Sequence, residues 1–210
     1  MIKVENVEVG LFQTAMRGMR NPKNSWHLSD SDFQDGVNLG EKDLDLAKRL
    51  IKGGPEHRKM LRQIVIGCDI VAPMYWWAEM DTYKVGTTRD SCSFMHKGAS
   101  KEYELSDFTL DGLDNASDAS SKEIVLNYIN YLNALRTHYN ESKDMNTFRL
   151  LRQLLPSGYN YRATWTANYE VLYNIYRQRK NHRLSEWREF CKWIETLPGM
   201  KEFLDLESNT

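Results

Sequence analysis

Two hydrophobic periods meet within residues 159–196, and that junction constrains the fold more than any other stretch. Tyr159, Tyr161, Ala163 and Trp165 alternate with polar residues, the pattern of a short strand with one buried face. From about Ala167 the apolar spacing becomes helical and continues to roughly Thr196, before Pro198. A strand that runs directly into a long helix must bury one face of each against the same core.

The remaining segments supply partners for that core. Ile2, Val4, Val7 and Val9 predict an opening strand of imperfect alternation. Leu44, Ala47, Leu50 and Ile51 recur at helical spacing, with Gly53-Gly54 as a stop. Pro55 suits the first turn of a following helix, and Ile64-Val65-Ile66 reads as a strand ending at Gly67. Pro73 opens a helix carrying the aromatic and acidic run from Tyr75 to Asp81. Ser120 with Glu123 fits a capping box ahead of a helical stripe of Ile124, Tyr128, Tyr131, Leu132 and Leu135. A further helix spans about 145–155 and ends at Pro156. Residues 17–40, 84–100 and 111–121 are polar and read as irregular, the first with room for one short helix. The order of elements predicts an α+β fold, mostly long helices with a small mixed or antiparallel sheet, in a single domain over residues 1–210.

Charge narrows the classes of function. Lys and Arg total 28 against 29 Asp and Glu, a net charge of −1, which argues against a generally basic nucleic-acid coat. No apolar run approaches the ~18 residues of a membrane span, and Met1-Ile2-Lys3-Val4-Glu5 lacks the pattern of a signal peptide. Cys68, Cys92 and Cys191 are odd in number and far apart, so a disulfide framework is not expected. These features predict a soluble, cytoplasmic protein. Cys92 and His96 have no second pair at zinc spacing, so no metal is expected, and Cys68 reads as a small core residue. The sequence has no Walker A, GxGxxG or GxSxG motif.

One side chain stands out on the last helical stretch. At ~100° per residue, Asn168, Leu172, Ile175 and Arg179 share a face, Asn168 and Arg179 returning to within ~20° of each other. Arg179 therefore comes from an otherwise apolar stripe. A guanidinium there keeps its proton and requires an acceptor, either a carboxylate in a structural salt bridge or a bound anion. Around it, Arg177 to Arg183 is a charge run that reads as a solvated helix face or as a source of phosphate contacts.

Residues 149–190 resemble the C-terminal half of flavin-dependent thymidylate synthases. The likeness rests on Arg152-Gln153-Leu154-Leu155-Pro156, on Tyr159 through Trp165-Thr166-Ala167-Asn168, and on Leu172, Asn174 and Arg179. That family has an Arg-x-x-Leu-Pro turn, an aromatic strand ending in Thr-x-Asn and a helix ending in Leu-Arg. The spacing from Arg152 to Arg179 matches without a gap, and weaker likeness runs from about Glu56 to Ser93. The resemblance implies that Arg152 and Arg179 hold a deoxyuridylate-type substrate, with Ser91 beside it, and that Arg179 is the catalytic-site arginine. It implies that Asn168 and Asn174 lie beside FAD, with methylenetetrahydrofolate and NADPH as co-substrates. A homotetramer, no membrane and no nucleic-acid partner go with it. The family chemistry is one-carbon transfer to pyrimidine carbon 5 without a cysteine nucleophile.

The sequence also departs from that family. The Arg-His-Arg signature falls on Asp81-Thr82-Tyr83, later signature positions fall on Gly86 and Thr88, and of the signature only Ser91 is kept. A helical arginine two residues after Asn168 is replaced by Glu170. Two functions are therefore expected in competition. One is a divergent thymidylate synthase or a pyrimidine deoxynucleotide hydroxymethylase. The other is a non-catalytic, homo-oligomeric scaffold that binds a nucleotide or another protein.

Overall fold

The computed structural model describes residues 2–114 and 119–205. In chain order the elements are β1 (Lys3–Gly10), α1 (Phe12–Arg20), α2 (Glu41–Lys52), α3 (Met60–Gln63), β2 (Val65–Pro73), α4 (Met74–Met80), β3 (Thr88–Ser91) and α5 (Phe94–Lys97). They continue with α6 (Asp111–Asp114), α7 (Ala119–Ser142), α8 (Met145–Leu154), β4 (Asn160–Asn168), α9 (Tyr169–Arg179), α10 (Ser185–Glu195) and α11 (Met200–Leu204). The strands form one antiparallel sheet in the order β1-β2-β4-β3. The fold is α+β and mostly helical, as the hydrophobic periods require. No described helix is long and apolar enough to cross a membrane.

The described residues fall into two compact units. One comprises residues 2–3, 70–82, 90–114 and 119–163, the other residues 4–69, 83–89 and 164–205. In the first unit α7 packs on α8. Phe94, Tyr103, Phe108, Leu132, Phe148 and Leu151 make its core. Asn133 brackets the backbone of Tyr103, accepting from its N–H at 2.8 Å and donating to its carbonyl at 2.9 Å. Asp144 caps α8 by accepting from the N–H groups of Asn146 and Thr147. Ile124, Leu126 and Tyr131 remain exposed along α7.

In the second unit α1, α3, α9, α10 and α11 pack together. Phe12 and Tyr169 meet edge to face at 5.4 Å, and Trp187 and Phe190 do so at 6.2 Å. Residues 21–31 follow α1 with two single 3-10 turns and are tied to α2 by polar side chains. Asp30 accepts from the N–H groups of Lys42 and Asp43 at the start of α2. Asp43 itself is fully buried and accepts from Arg20 Nε at 2.6 Å, Ser29 at 2.6 Å and Ser31 at 2.7 Å.

Several boundaries differ from the sequence expectation. Phe12, Ala15, Met16 and Met19 bury one helical face, so α1 covers residues 17–20 of the stretch expected to be irregular. Pro55 lies in a turn instead of a helix, and α3 starts at Met60. Gly67 does not end β2, because Ile66, Cys68, Ile70 and Ala72 alternate inward on both sides of it. The stretch 84–100 holds β3 and α5. Three of the four residues of β3 are exposed, so the strand carries no apolar alternation to read. Within 111–121, α6 takes 111–114 and α7 begins at Ala119, which puts Ser120 inside the helix rather than at its cap; residues 115–118 lie outside the described residues. β4 continues past Trp165 to Asn168, and the expected continuous helix after it is two, α9 and α10, separated at 180–184. Arg188 Nη1 stabilises that break by donating to the carbonyls of His182 and Arg183.

The Asp43 cluster yields a stability prediction. Burial alone raises its carboxyl pKa, but hydrogen bonds from Ser29, Ser31 and Arg20 outweigh burial and hold it below 3.8. A depressed folded pKa contributes stability above the unfolded value, which is lost as pH falls through the folded one. Asp43→Ala strands a buried Arg20 and is expected to cost about 3–5 kcal/mol at pH 7. The deficit against wild type should shrink below about pH 3.8, as urea denaturation at several pH values would record.

Candidate functional site

The polar side chains singled out by the sequence near the end of the chain gather along α9. Asn168 is both the last residue of β4 and the N-cap of α9, its Oδ1 accepting from the N–H of Val171 at 3.1 Å. One turn on, Glu170 and Asn174 share a partner. Arg58 Nε donates to both Glu170 oxygens at 3.0 Å, its Nη2 lies 2.9 Å from Glu170 Oε1, and Nη2 donates to Asn174 Oδ1 at 3.2 Å. The guanidinium also stacks 4.7 Å from the Tyr173 ring centroid. Side-chain exposures of 7% and 12% make Arg58–Glu170 a buried, bidentate pair.

Arg179 ends the helix in a different environment. Its Nε donates to Tyr83 Oη at 2.9 Å, and its Nη1 lies 3.0 Å from His182 Nε2. The guanidinium sits 4.7 Å from the Trp187 ring centroid and 5.7 Å from that of Tyr83. Arg179 is thus half-buried in a cage of a phenol, an imidazole and an indole. The apolar stripe expected beneath it is present, since Leu172 and Ile175 are fully buried. Sequence reasoning missed Tyr83, His182 and Trp187 as its neighbours, and Arg58 as the partner of Glu170 and Asn174. Glu170 and Asn174, four apart on one helix face, were the available signal that a cationic partner must reach α9.

The other two sequence-selected residues belong to the first unit. Arg152, in the last turn of α8, is exposed and lies 5.5 Å over the Phe94 ring. Ser91 ends β3, and its Oγ accepts from Tyr161 Oη at 3.4 Å. The replaced signature is put to structural use. Asp81 caps α4, and Thr82 Oγ1 donates to the Glu79 carbonyl at 2.8 Å.

A groove of about 500 Å³ opens beside Asn168, lined by Glu8, Arg62, Gly67, Gly86 and Thr166 among others. Gly86 has φ +77°, and a Cβ on it would stand 2.9 Å from Asn168 Nδ2. Glycine at 86 therefore keeps that amide clear while its Oδ1 serves the helix. Two cysteines close to this chemistry are unsuited to nucleophilic attack. Burial, then the neighbouring acidic groups Asp69 and Glu195, push the thiols of Cys68 and Cys191 up to about 12.

This architecture has counterparts among solved structures. A thymidylate synthase X from Helicobacter pylori with FAD and dUMP superposes at a TM-score of 0.69 with 17% identity, covering 99% of this chain and 98% of that one. A second structure of the flavin-dependent enzyme from the same organism, also with FAD and dUMP, gives 0.68 with 18% identity over 98% of both chains. The chain has the flavin-dependent thymidylate synthase fold. No family model matches its sequence, and no curated protein matches it by sequence. The C-terminal motifs that carried the resemblance thus mark the fold correctly across a sequence difference this large.

FAD is bound in both of those neighbours, and the residues here can be tested against it. Asn168 Nδ2, the glycine cradle at 86 and Arg62 line one groove. Asn168 and Arg62 suit a group rich in hydrogen-bond acceptors, while the Glu8 carboxylate in the same lining disfavours a negative charge beside it. Asn174 offers less, because its carbonyl oxygen already serves Arg58.

Removing one partner of the Arg58–Glu170 pair leaves the other buried and unpaired. Arg58→Met is expected to destabilise the fold by about 3–5 kcal/mol in guanidinium denaturation. Adding Glu170→Met should recover most of that loss. A double variant as unstable as the sum of the singles would show that the two side chains act separately.

Proposed function

We propose that the chain binds a pyrimidine deoxynucleoside monophosphate, deoxyuridylate or a close variant, with Arg179 on its phosphate. The observation that carries this reading is the orientation of Arg179, fixed by Tyr83 and His182 against Trp187 in a fold whose solved examples hold dUMP. An arginine fork held in one orientation suits a phosphate better than a mobile ammonium would. Arg152 and Ser91, in the first unit, are assigned to nucleotide binding by their match to the family motif. FAD is assigned to Asn168, supported by the open amide at Gly86, and to Asn174 through its amide nitrogen.

On this reading the protein is a divergent flavin-dependent thymidylate synthase or a pyrimidine deoxynucleotide hydroxymethylase of the cytoplasm. A bound flavin would supply redox chemistry, with methylenetetrahydrofolate as one-carbon donor and NADPH as reductant. The chain's own residues bind and orient the nucleotide, and Arg179 is the side chain at its phosphate. Residues 1–210 act as one domain, and the apolar residues exposed on α7 support assembly into a homotetramer.

The Arg58–Glu170 pair favours a second reading. A carboxylate replaces a family arginine on the flavin side, as expected of a non-catalytic nucleotide-binding or protein-interaction scaffold. FAD separates the two. The enzyme reading expects purified protein incubated with FAD to stay yellow after gel filtration, whereas a scaffold stays colourless.

Arg179→Ala tests the nucleotide. Two charge-assisted bonds of about 1.5–3 kcal/mol each are lost, so calorimetric affinity for deoxyuridylate should fall at least about a hundredfold. A variant that melts far below wild type yet binds deoxyuridylate unchanged would make Arg179 a structural residue.

A further inference from the structure

We propose that Tyr83 is a positioning residue, whose hydroxyl aims the Arg179 guanidinium at the phosphate of a nucleoside monophosphate. The target rests on the nucleotide reading above; the positioning itself rests on geometry around Tyr83. A guanidinium can only donate, so Arg179 Nε donates and Tyr83 Oη accepts, at 2.9 Å. The phenol proton is then directed to Gln178 Oε1, also 2.9 Å away. Gln178 and Arg179 are consecutive at the end of α9, so Tyr83 is anchored by one residue and holds the next.

The backbone that presents Tyr83 is itself constrained. Thr87 Oγ1 donates to the Tyr83 carbonyl at 2.8 Å, and Gly86 turns the chain at φ +77°. The Tyr83 ring meets Trp187 edge to face at 6.0 Å, while the Arg179 guanidinium lies 4.7 Å from the same indole. Three groups therefore share one corner: the indole supports the guanidinium face, and the phenol pins its Nε edge. Pinning Nε restricts rotation about the last side-chain bonds, which lowers the ordering cost when a ligand is bound.

The residue type matters. A lysine or arginine at position 83 would set a second cation against Arg179, and a phenylalanine would have no acceptor. A carboxylate would hold the guanidinium but would also repel a phosphate. A phenol orients the guanidinium and adds no negative charge. The family signature is arginine here, so this chain uses the third signature position for a different task.

Tyr83→Phe keeps the ring and removes the acceptor. Titration with deoxyuridylate and with deoxyuridine, which lacks the phosphate, separates positioning from packing. Loss of one hydrogen bond should lower deoxyuridylate affinity about fivefold, with deoxyuridine affinity and melting temperature unchanged. In nucleotide-free protein, the Arg179 Nε–H proton should exchange slowly with water in wild type and rapidly in Tyr83→Phe, as read by nitrogen-15 NMR and identified by its loss in Arg179→Lys. Equal losses for both ligands, no loss for either, or a Nε–H that stays protected in Tyr83→Phe would overturn the proposal. If wild type binds no deoxyuridylate, the nucleotide reading and the phosphate target fall together. The exchange measurement then still decides whether Tyr83 holds Arg179.

Discussion

Asn168 is where the strand becomes the helix, and the placement of α9 depends on that transition. Its side chain caps the first turn through Val171, while the N–H of Tyr169 donates to the Ile64 carbonyl at 3.0 Å. Tyr169 is also fixed by its ring against Phe12 and by its hydroxyl, which donates to the Pro198 carbonyl at 3.1 Å. With the helix start held at these points, the directions of Glu170, Asn174 and Arg179 follow from helical geometry alone. Asn168 has two tasks: Oδ1 serves the helix, and Nδ2 faces the groove at Gly86. A substitution there would perturb helix stability by about 1 kcal/mol as well as any ligand contact, so the two effects must be measured separately.

Charge along α9 is redistributed relative to the resembled family. A carboxylate at 170 would be costly if it were buried alone, and Arg58 meets it with a bidentate pair reinforced by Asn174 and Tyr173. At the other end, the neutral phenol of Tyr83 stands where the family carries an arginine. Both substitutions break a motif, and both are compensated by contacts that only the folded chain reveals. Arg152, Asn168, Asn174 and Arg179 are positions of the resembled pattern left in place.

The α+β class and the existence of α2, α4, α8 and β4 were legible because each buries one face, and burial leaves a period in the residues. Arg179 was legible for the same reason, as a charge interrupting an apolar stripe. β1, which has no buried residue, was legible only from its imperfect run of Ile and Val. β3 was not, because most of its residues are exposed and an exposed edge strand needs no apolar alternation. The break between α9 and α10 was hidden too: residues 180–184 contain neither Gly nor Pro, and the break is held by Arg188, which lies beyond it. Gly67 misled in the opposite direction, since a glycine inside a strand looks like its end. Long-range partners such as Arg58 for Glu170 leave no local pattern. Only the need of a buried carboxylate for a cation points to them.

The central claim is that Arg179 faces a nucleotide phosphate, and a crystal structure of the protein soaked with deoxyuridylate tests it most directly. The expected result is density for the nucleotide with its phosphate within hydrogen-bond distance of the Arg179 guanidinium, Tyr83 Oη still accepting from Nε. A nucleotide bound elsewhere, or an Arg179 fork fully occupied by protein groups in well-ordered density without the ligand, would contradict the account.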